Sequence, residues 1–121
     1  MYFLPLGYKE RLSNKHHDDR KYEDEYQNEV YEHAFELASL GDLVVDFGCG
    51  SGYKLMKYFY HYDTIGLEMD PALSFLREKY PDRKWLEVGN CEIPRAEIAI
   101  CSDVIEHVQD PVALIDDIRK T

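Results

Sequence analysis

Asp46, Gly48, Gly50 and Gly52 alternate through the stretch Val45-Asp46-Phe47-Gly48-Cys49-Gly50-Ser51-Gly52, and Glu68 follows twenty-two residues after Asp46. Glycines at this spacing permit positive φ and let a ligand come close to backbone N–H groups. A carboxylate at Glu68 can accept both hydroxyls of a ribose whose 2′ position carries no phosphate. The chemistry this points to is recognition of a nucleoside. Taken alone, the glycines also suit an ordinary tight turn and Glu68 a solvated strand end; at their joint spacing the nucleoside reading is stronger. A dinucleotide fingerprint is disfavoured, because Tyr53 stands where GxGxxG needs its third glycine. The absence of a Gly-Lys-Ser/Thr continuation removes the phosphate-binding P-loop.

A second group, Asp103, Glu106 and His107, falls at i, i+3 and i+4, so that one helical turn would bring all three to one face. His107, with Asp103, is the candidate general base for an oxygen or nitrogen acceptor. The alternative, that Glu106 and His107 cap or pack beneath the glycine loop, stands beside it. The three cysteines, Cys49, Cys91 and Cys101, have no CxxC spacing and are an odd number, which disfavours a disulfide framework or a zinc site. Cys49 and Cys101 read as small structural thiols. His16-His17-Asp18-Asp19 has metal-ligand residue types but lies among charges and reads as a solvated segment. No metal is expected.

The elements that must position these groups alternate along the chain. Apolar residues Tyr26, Val30, Ala34, Leu37 and Ala38 recur at helical spacing between Glu23 and Leu40, with Gly41 as the stop. Leu43–Phe47 is a short branched run ending at the glycines, the pattern of a buried strand. Ser51–Tyr60 carries Leu55, Met56, Phe59 and Tyr60 on one helical side, and Thr64–Leu67 is the next strand. Asp70 and Pro71 open a helix with Leu73, Leu76 and Tyr80 inward. Strands at Lys84–Val88 and Glu97–Cys101 follow, then a helix from Asp110-Pro111 with Leu114, Ile115 and Ile118 inward. This order predicts an α/β fold, a Rossmann-like α/β/α sandwich on a mostly parallel sheet, with ligands at the carboxyl ends of the strands.

With the motifs in this order, residues 26 to 120 resemble class I S-adenosylmethionine-dependent methyltransferases. VVDFGCGSG resembles that family's first motif, GLEMD its ribose-binding acidic motif, VGNCEIP the segment after its third strand, and AICSDVIEH with Asp110-Pro111 its fourth-strand motif. The resemblance implies S-adenosylmethionine as cofactor, S-adenosylhomocysteine as product, and a pocket formed by Asp46, Gly48, Cys49, Gly50, Gly52, Glu68, Met69, Asn90, Cys91 and Ser102. In that family the residue at Asn90 reads the adenine amino group, and the backbone at Cys91 reaches the ring. Many relatives have Asp where this chain has Asn90, and an Asn can still accept that bond. A metal built from Asp103, Glu106 and His107, as in the branch that methylates small RNA, would also need a distant histidine that this chain lacks. N-terminal helices of the family often fold over the cofactor, which would bring Tyr26 and Gln27 to its methionine end; packing of Tyr22, Tyr26 and Tyr31 on the sheet edge is the plainer alternative. The family usually carries about seven strands, of which about four are read here.

The 121 residues are expected to make a single domain with a polar N-terminal extension over residues 1–22 and without the family's C-terminal strands. A net charge of −10 opposes binding to nucleic acid, which needs clustered Lys and Arg. A small-molecule or protein substrate fits this charge better, and a small-molecule acceptor is expected, with a sugar or glycan precursor suggested by resemblance to bacterial methyltransferases. The first residues make neither a signal peptide nor a membrane span, so a cytoplasmic protein is expected. An uncovered fourth strand would leave a pairing edge, which self-association could cover. Two further functional classes stand beside the enzyme: a non-catalytic module or half-domain that binds the cofactor and needs a partner chain, and half of an NAD-dependent oxidoreductase.

Overall fold

The computed structural model describes residues 27–89, 91–102 and 104–121, the side chain of His107 excepted. Four strands, β1 (Leu43–Phe47), β2 (Asp63–Glu68), β3 (Lys84–Glu87) and β4 (Ile98–Cys101), form one sheet in the order β3-β2-β1-β4, every pair parallel. The helices are α1 (Asn28–Leu37), α2 (Tyr53–Phe59), α3 (Ala72–Lys79) and α4 (Pro111–Lys120), with a short 3₁₀ turn at Ile105–His107. The chain order reverses beside β1, between its neighbours β2 and β4, which opens a crevice at their carboxyl ends. This is the predicted Rossmann-like sandwich.

Alternation along β1 sorts the core into two layers. Val44 faces Leu55, Met56 and Phe59 of α2, Leu73 and Leu76 of α3, Tyr31 and Ala34 of α1, and Trp85 and Ile100. Val45 and Phe47 face the other way, with Ile65 and Leu67, onto Leu114 of α4. With both sides covered, the strand is apolar throughout except for Asp46.

The helix boundaries and faces differ from the sequence pattern in several places. α1 ends at Leu37 because Ala38 is extended, and the chain then turns through Ser39–Asp42, where the Ser39 N–H donates to the Asp42 carboxylate at 2.8 Å. Its inward residues are Tyr31 and Ala34, whereas Val30 and Leu37 are 42% and 63% exposed, so the buried stripe is rotated from the predicted one. A tyrosine looks amphipathic in a pattern and here supplies the centre of the face. Tyr60 and Ile115 are likewise exposed rather than inward. Asp70 serves α3 from one position outside its N-cap, which is Pro71, by accepting the Ser74 N–H and hydroxyl.

Asp110 caps α4 as expected, its carboxylate accepting the Ala113 N–H at 3.0 Å with Pro111 next. Asp110→Ala should lower stability by about 1 kcal/mol in urea unfolding. An unchanged midpoint would show that α4 does not depend on its cap.

The two sheet edges are unlike. β3 carries exposed Lys84 and Glu87, whereas β4 reads Ile98-Ala99-Ile100-Cys101 with no charge. Among the described residues no helix is long and apolar enough to cross a membrane.

Candidate functional site

The glycine loop leaves β1 and is sewn onto the end of β2. The Gly48 and Cys49 N–H groups donate to the Leu67 carbonyl at 2.8 and 3.2 Å, and the Gly52 N–H closes back on the Cys49 carbonyl at 3.0 Å. The Gly50 N–H donates to Glu68 Oε2 at 2.9 Å, while Glu68 Oε1 accepts the Met69 N–H at 3.0 Å. The two bonds fix the orientation of the Glu68 carboxylate beside the loop. The predicted partnership of loop and acidic residue is therefore a direct contact.

The glycines differ in what requires them. A Cβ on Gly48 would lie 2.4 Å from a Val104 methyl, and one on Gly52 would lie 2.6 Å from Leu76 and 3.2 Å from the Trp85 ring. Protein packing fixes both. Gly50, at φ +58, has nothing within 4 Å of where its Cβ would be, although its own N–H is held by Glu68. The open side of the loop is at Gly50.

Asp46 lies directly before this loop and is fully buried. Its Oδ2 accepts the Tyr31 hydroxyl at 2.8 Å, and its Oδ1 has no hydrogen-bond partner among the described residues. Burial raises the carboxyl from 3.8 to about 7; the Tyr31 hydrogen bond opposes the rise, Glu68 adds to it, and Lys54 opposes it. Burial also pushes the thiols of Cys49, Cys91 and Cys101 above their ordinary value. Thiols held in the protonated form suit packing, not nucleophilic attack. Cys49 packs in the α1–α3 core layer, while Cys91 and Cys101 lie against the α4 layer.

Ser102 is buried just after β4, and Met69 is half-buried beside Glu68. Asn90, Asp103 and the His107 side chain lie outside the described residues, as do Tyr22, Tyr26 and His16 to Asp19. Of the proposed Asp103-Glu106-His107 face, the 3₁₀ turn contains Glu106 and the His107 backbone. A cavity of about 410 Å³ lies at the opposite, amino end of the sheet, lined by residues including Leu43, Asp63 and Lys84. It shares no residue with the loop.

The pattern pointed to the loop and Glu68, but not to Tyr31 as the partner of Asp46 nor to Gly66. A lone carboxylate inside LVVDF requires a buried partner, and a glycine inside a strand marks a close approach; those were the signals available. A Cβ on Gly66 would lie 2.4 Å from the Trp85 ring and 2.8 Å from Cys49 Sγ, so the loop's cysteine rests on this glycine.

Comparison with known proteins agrees with this fold. A family described as a methyltransferase domain matches residues 15–121. Among solved structures, the chain is similar to a chain of the Haloferax volcanii complex between the Trm112 methyltransferase activator and a methyltransferase. That likeness has a TM-score of 0.63 at 23% identity, over 83% of this chain and 49% of that one. A TehB-like SAM-dependent methyltransferase from Corynebacterium glutamicum gives 0.53 at 19% identity, over 74% of this chain and 54% of that one. A dimethyladenosine transferase from Plasmodium falciparum gives 0.53 at 17% identity, over 65% and 32%. The chain thus spans roughly a third to a half of the length of these structures. No curated protein matches it.

Proposed function

Because the chain belongs to the methyltransferase-domain family, we propose that its glycine loop binds S-adenosylmethionine and serves methyl transfer to a small-molecule acceptor, with S-adenosylhomocysteine as product. The observation that carries this reading is the open backbone at Gly50, held against the carboxylate of Glu68 at the end of β2. The Oδ1 of buried Asp46, without a hydrogen-bond partner among the described residues, fits a cationic ligand beside the loop. In this reading Glu68 accepts the ribose hydroxyls, and Gly48, Cys49, Gly50 and Gly52 form the wall. Asp46 faces the methionine end, Met69, Asn90 and Cys91 surround the adenine, and Ser102 closes the pocket from β4.

The cofactor, when bound, supplies a methyl group already activated by its sulfonium. The chain's own task is to hold an acceptor in line with that methyl and to exclude water. His107 and Asp103 are the residues proposed to assist removal of the acceptor's proton. No thiol is assigned a covalent role, in keeping with the raised cysteines.

A second reading is favoured by the uncharged β4 edge and by the activator complex among the similar structures: a cofactor-binding module that acts with another protein chain. The Haloferax volcanii methyltransferase was solved with an activator, and a partner of that kind, or a second copy, would suit this edge.

Calorimetric titration with S-adenosylmethionine, S-adenosylhomocysteine and NAD in parallel tests the assignment. Selective binding of the first two is expected; binding of NAD alone would move the chain to the oxidoreductases. Gly50→Leu and Glu68→Ala should each weaken S-adenosylhomocysteine by about tenfold to a hundredfold, on the order of 1–3 kcal/mol. Unchanged affinity in both variants would remove the loop from the site. Assaying methyl transfer to candidate sugars on the same preparation separates an enzyme from a binding half.

A further inference from the structure

Asp46 ties three parts of the molecule together. It belongs to β1, accepts a hydrogen bond from α1 through Tyr31, and faces Lys54 of α2. Tyr31 is itself held in place: it is 4% exposed, and its ring stacks on Tyr58 at 6.2 Å between centroids with a 20° interplanar angle. Its hydroxyl therefore occupies one oxygen of a fully buried carboxylate, and the other oxygen is left without a hydrogen bond among the described residues. A buried acceptor in that state is costly unless a ligand or a proton completes it.

We propose that Tyr31 is a positioning residue of the cofactor site, fixing Asp46 so that its second oxygen serves as counter-charge to the cationic methionine end of the adenosyl ligand. This inference rests on the cofactor reading above. It makes α1 a working part of the pocket and not only a cover for α2. It also couples binding to a proton. Among the described residues, the groups that act on Asp46 are Tyr31 from α1, Glu68 from β2, Lys54 from α2, Cys49 from the loop and Cys101 from β4. Burial outweighs the others and holds much of the carboxyl protonated near neutrality. A cation placed at Oδ1 favours the ionised form, so binding expels that proton, with no other bond made or broken.

S-adenosylhomocysteine, which keeps the ammonium group and cannot react, is the probe. Its affinity for the unaltered chain should rise about tenfold from pH 6 to pH 8, levelling off above about 7, because only the ionised carboxylate binds the cation. Titration at pH 6 in two buffers of different ionisation enthalpy should show close to one proton released. Tyr31→Phe removes the hydrogen bond that favours ionisation, so the rise in affinity should move to higher pH. Asp46→Asn should bind more weakly at pH 8 and show neither pH dependence nor proton release. Binding that is independent of pH in the unaltered chain would overturn the inference and leave the cofactor reading standing. A Tyr31→Phe chain weakened equally at every pH would reduce Tyr31 to packing and overturn its positioning role. A folded chain that binds no adenosyl ligand at any pH would overturn both.

Discussion

A Gly66→Val chain is expected to lose on the order of 3 kcal/mol of folding stability and its affinity for adenosyl ligands with it. The reason is crowding from two sides at the middle of β2. A Cβ there would come 2.4 Å from two carbons of the Trp85 ring and 2.8 Å from Cys49 Sγ. Trp85 has little room to retreat: it is 4% exposed, its indole N–H donates to the Tyr80 carbonyl at 2.9 Å, and its ring packs on Tyr80. Cys49 can yield only by lifting the loop, which would break the bonds from Gly48 and Cys49 to the Leu67 carbonyl. Urea unfolding and S-adenosylhomocysteine titration of one preparation test both halves. A stability change under about 0.5 kcal/mol would mean that the sheet absorbs the extra volume and that the loop does not depend on Gly66.

The second large effect is a dependence of stability on pH. Asp46 is protonated up to about 7 in the folded chain and only up to its ordinary 3.8 when exposed. Between those values the unfolded chain has released a proton that the folded chain retains, so raising the pH favours unfolding. The contribution is fully present below 3.8 and is lost as pH rises through about 7, on the order of 4 kcal/mol in all. Asp46→Asn keeps an acceptor for Tyr31 without the charge. It should therefore overtake the unaltered chain at pH 8, by on the order of 3 kcal/mol more than any difference between them at pH 5. Urea unfolding of both proteins at the two pH values measures this, and taking the difference cancels the titration of the other carboxylates. Parallel curves for the two proteins would mean that Asp46 is ionised in the folded state throughout.

The strands and the loop are legible because their signals are local. A branched run ending in alternating glycines, an acidic residue at the end of the next strand, and an Asp-Pro helix start each lie within a few residues. β1, α4's cap and the contact between Gly50 and Glu68 follow from them. What the sequence does not announce depends on residues distant in the chain. Tyr31 turns inward because a carboxylate fifteen residues away needs its hydroxyl, and that choice rotates the buried stripe of α1. Gly66 is indispensable because Trp85, on the neighbouring strand, lies across it. Ile115 is exposed although the pattern places it inward, because periodicity gives the spacing of an apolar stripe but not its centre; Leu114 is the residue that meets the sheet.

The two sheet edges, among the described residues, are unequally suited to a further strand. A strand laid along β4 extends the sheet without bringing charges together, whatever chain it comes from. If two copies meet there about a two-fold axis, each turns its Lys84 and Glu87 outward, and the enlarged sheet ends in charged strands on both sides. Among the described residues, then, it is the β4 edge and not the charged β3 edge that a further strand would join without burying charge.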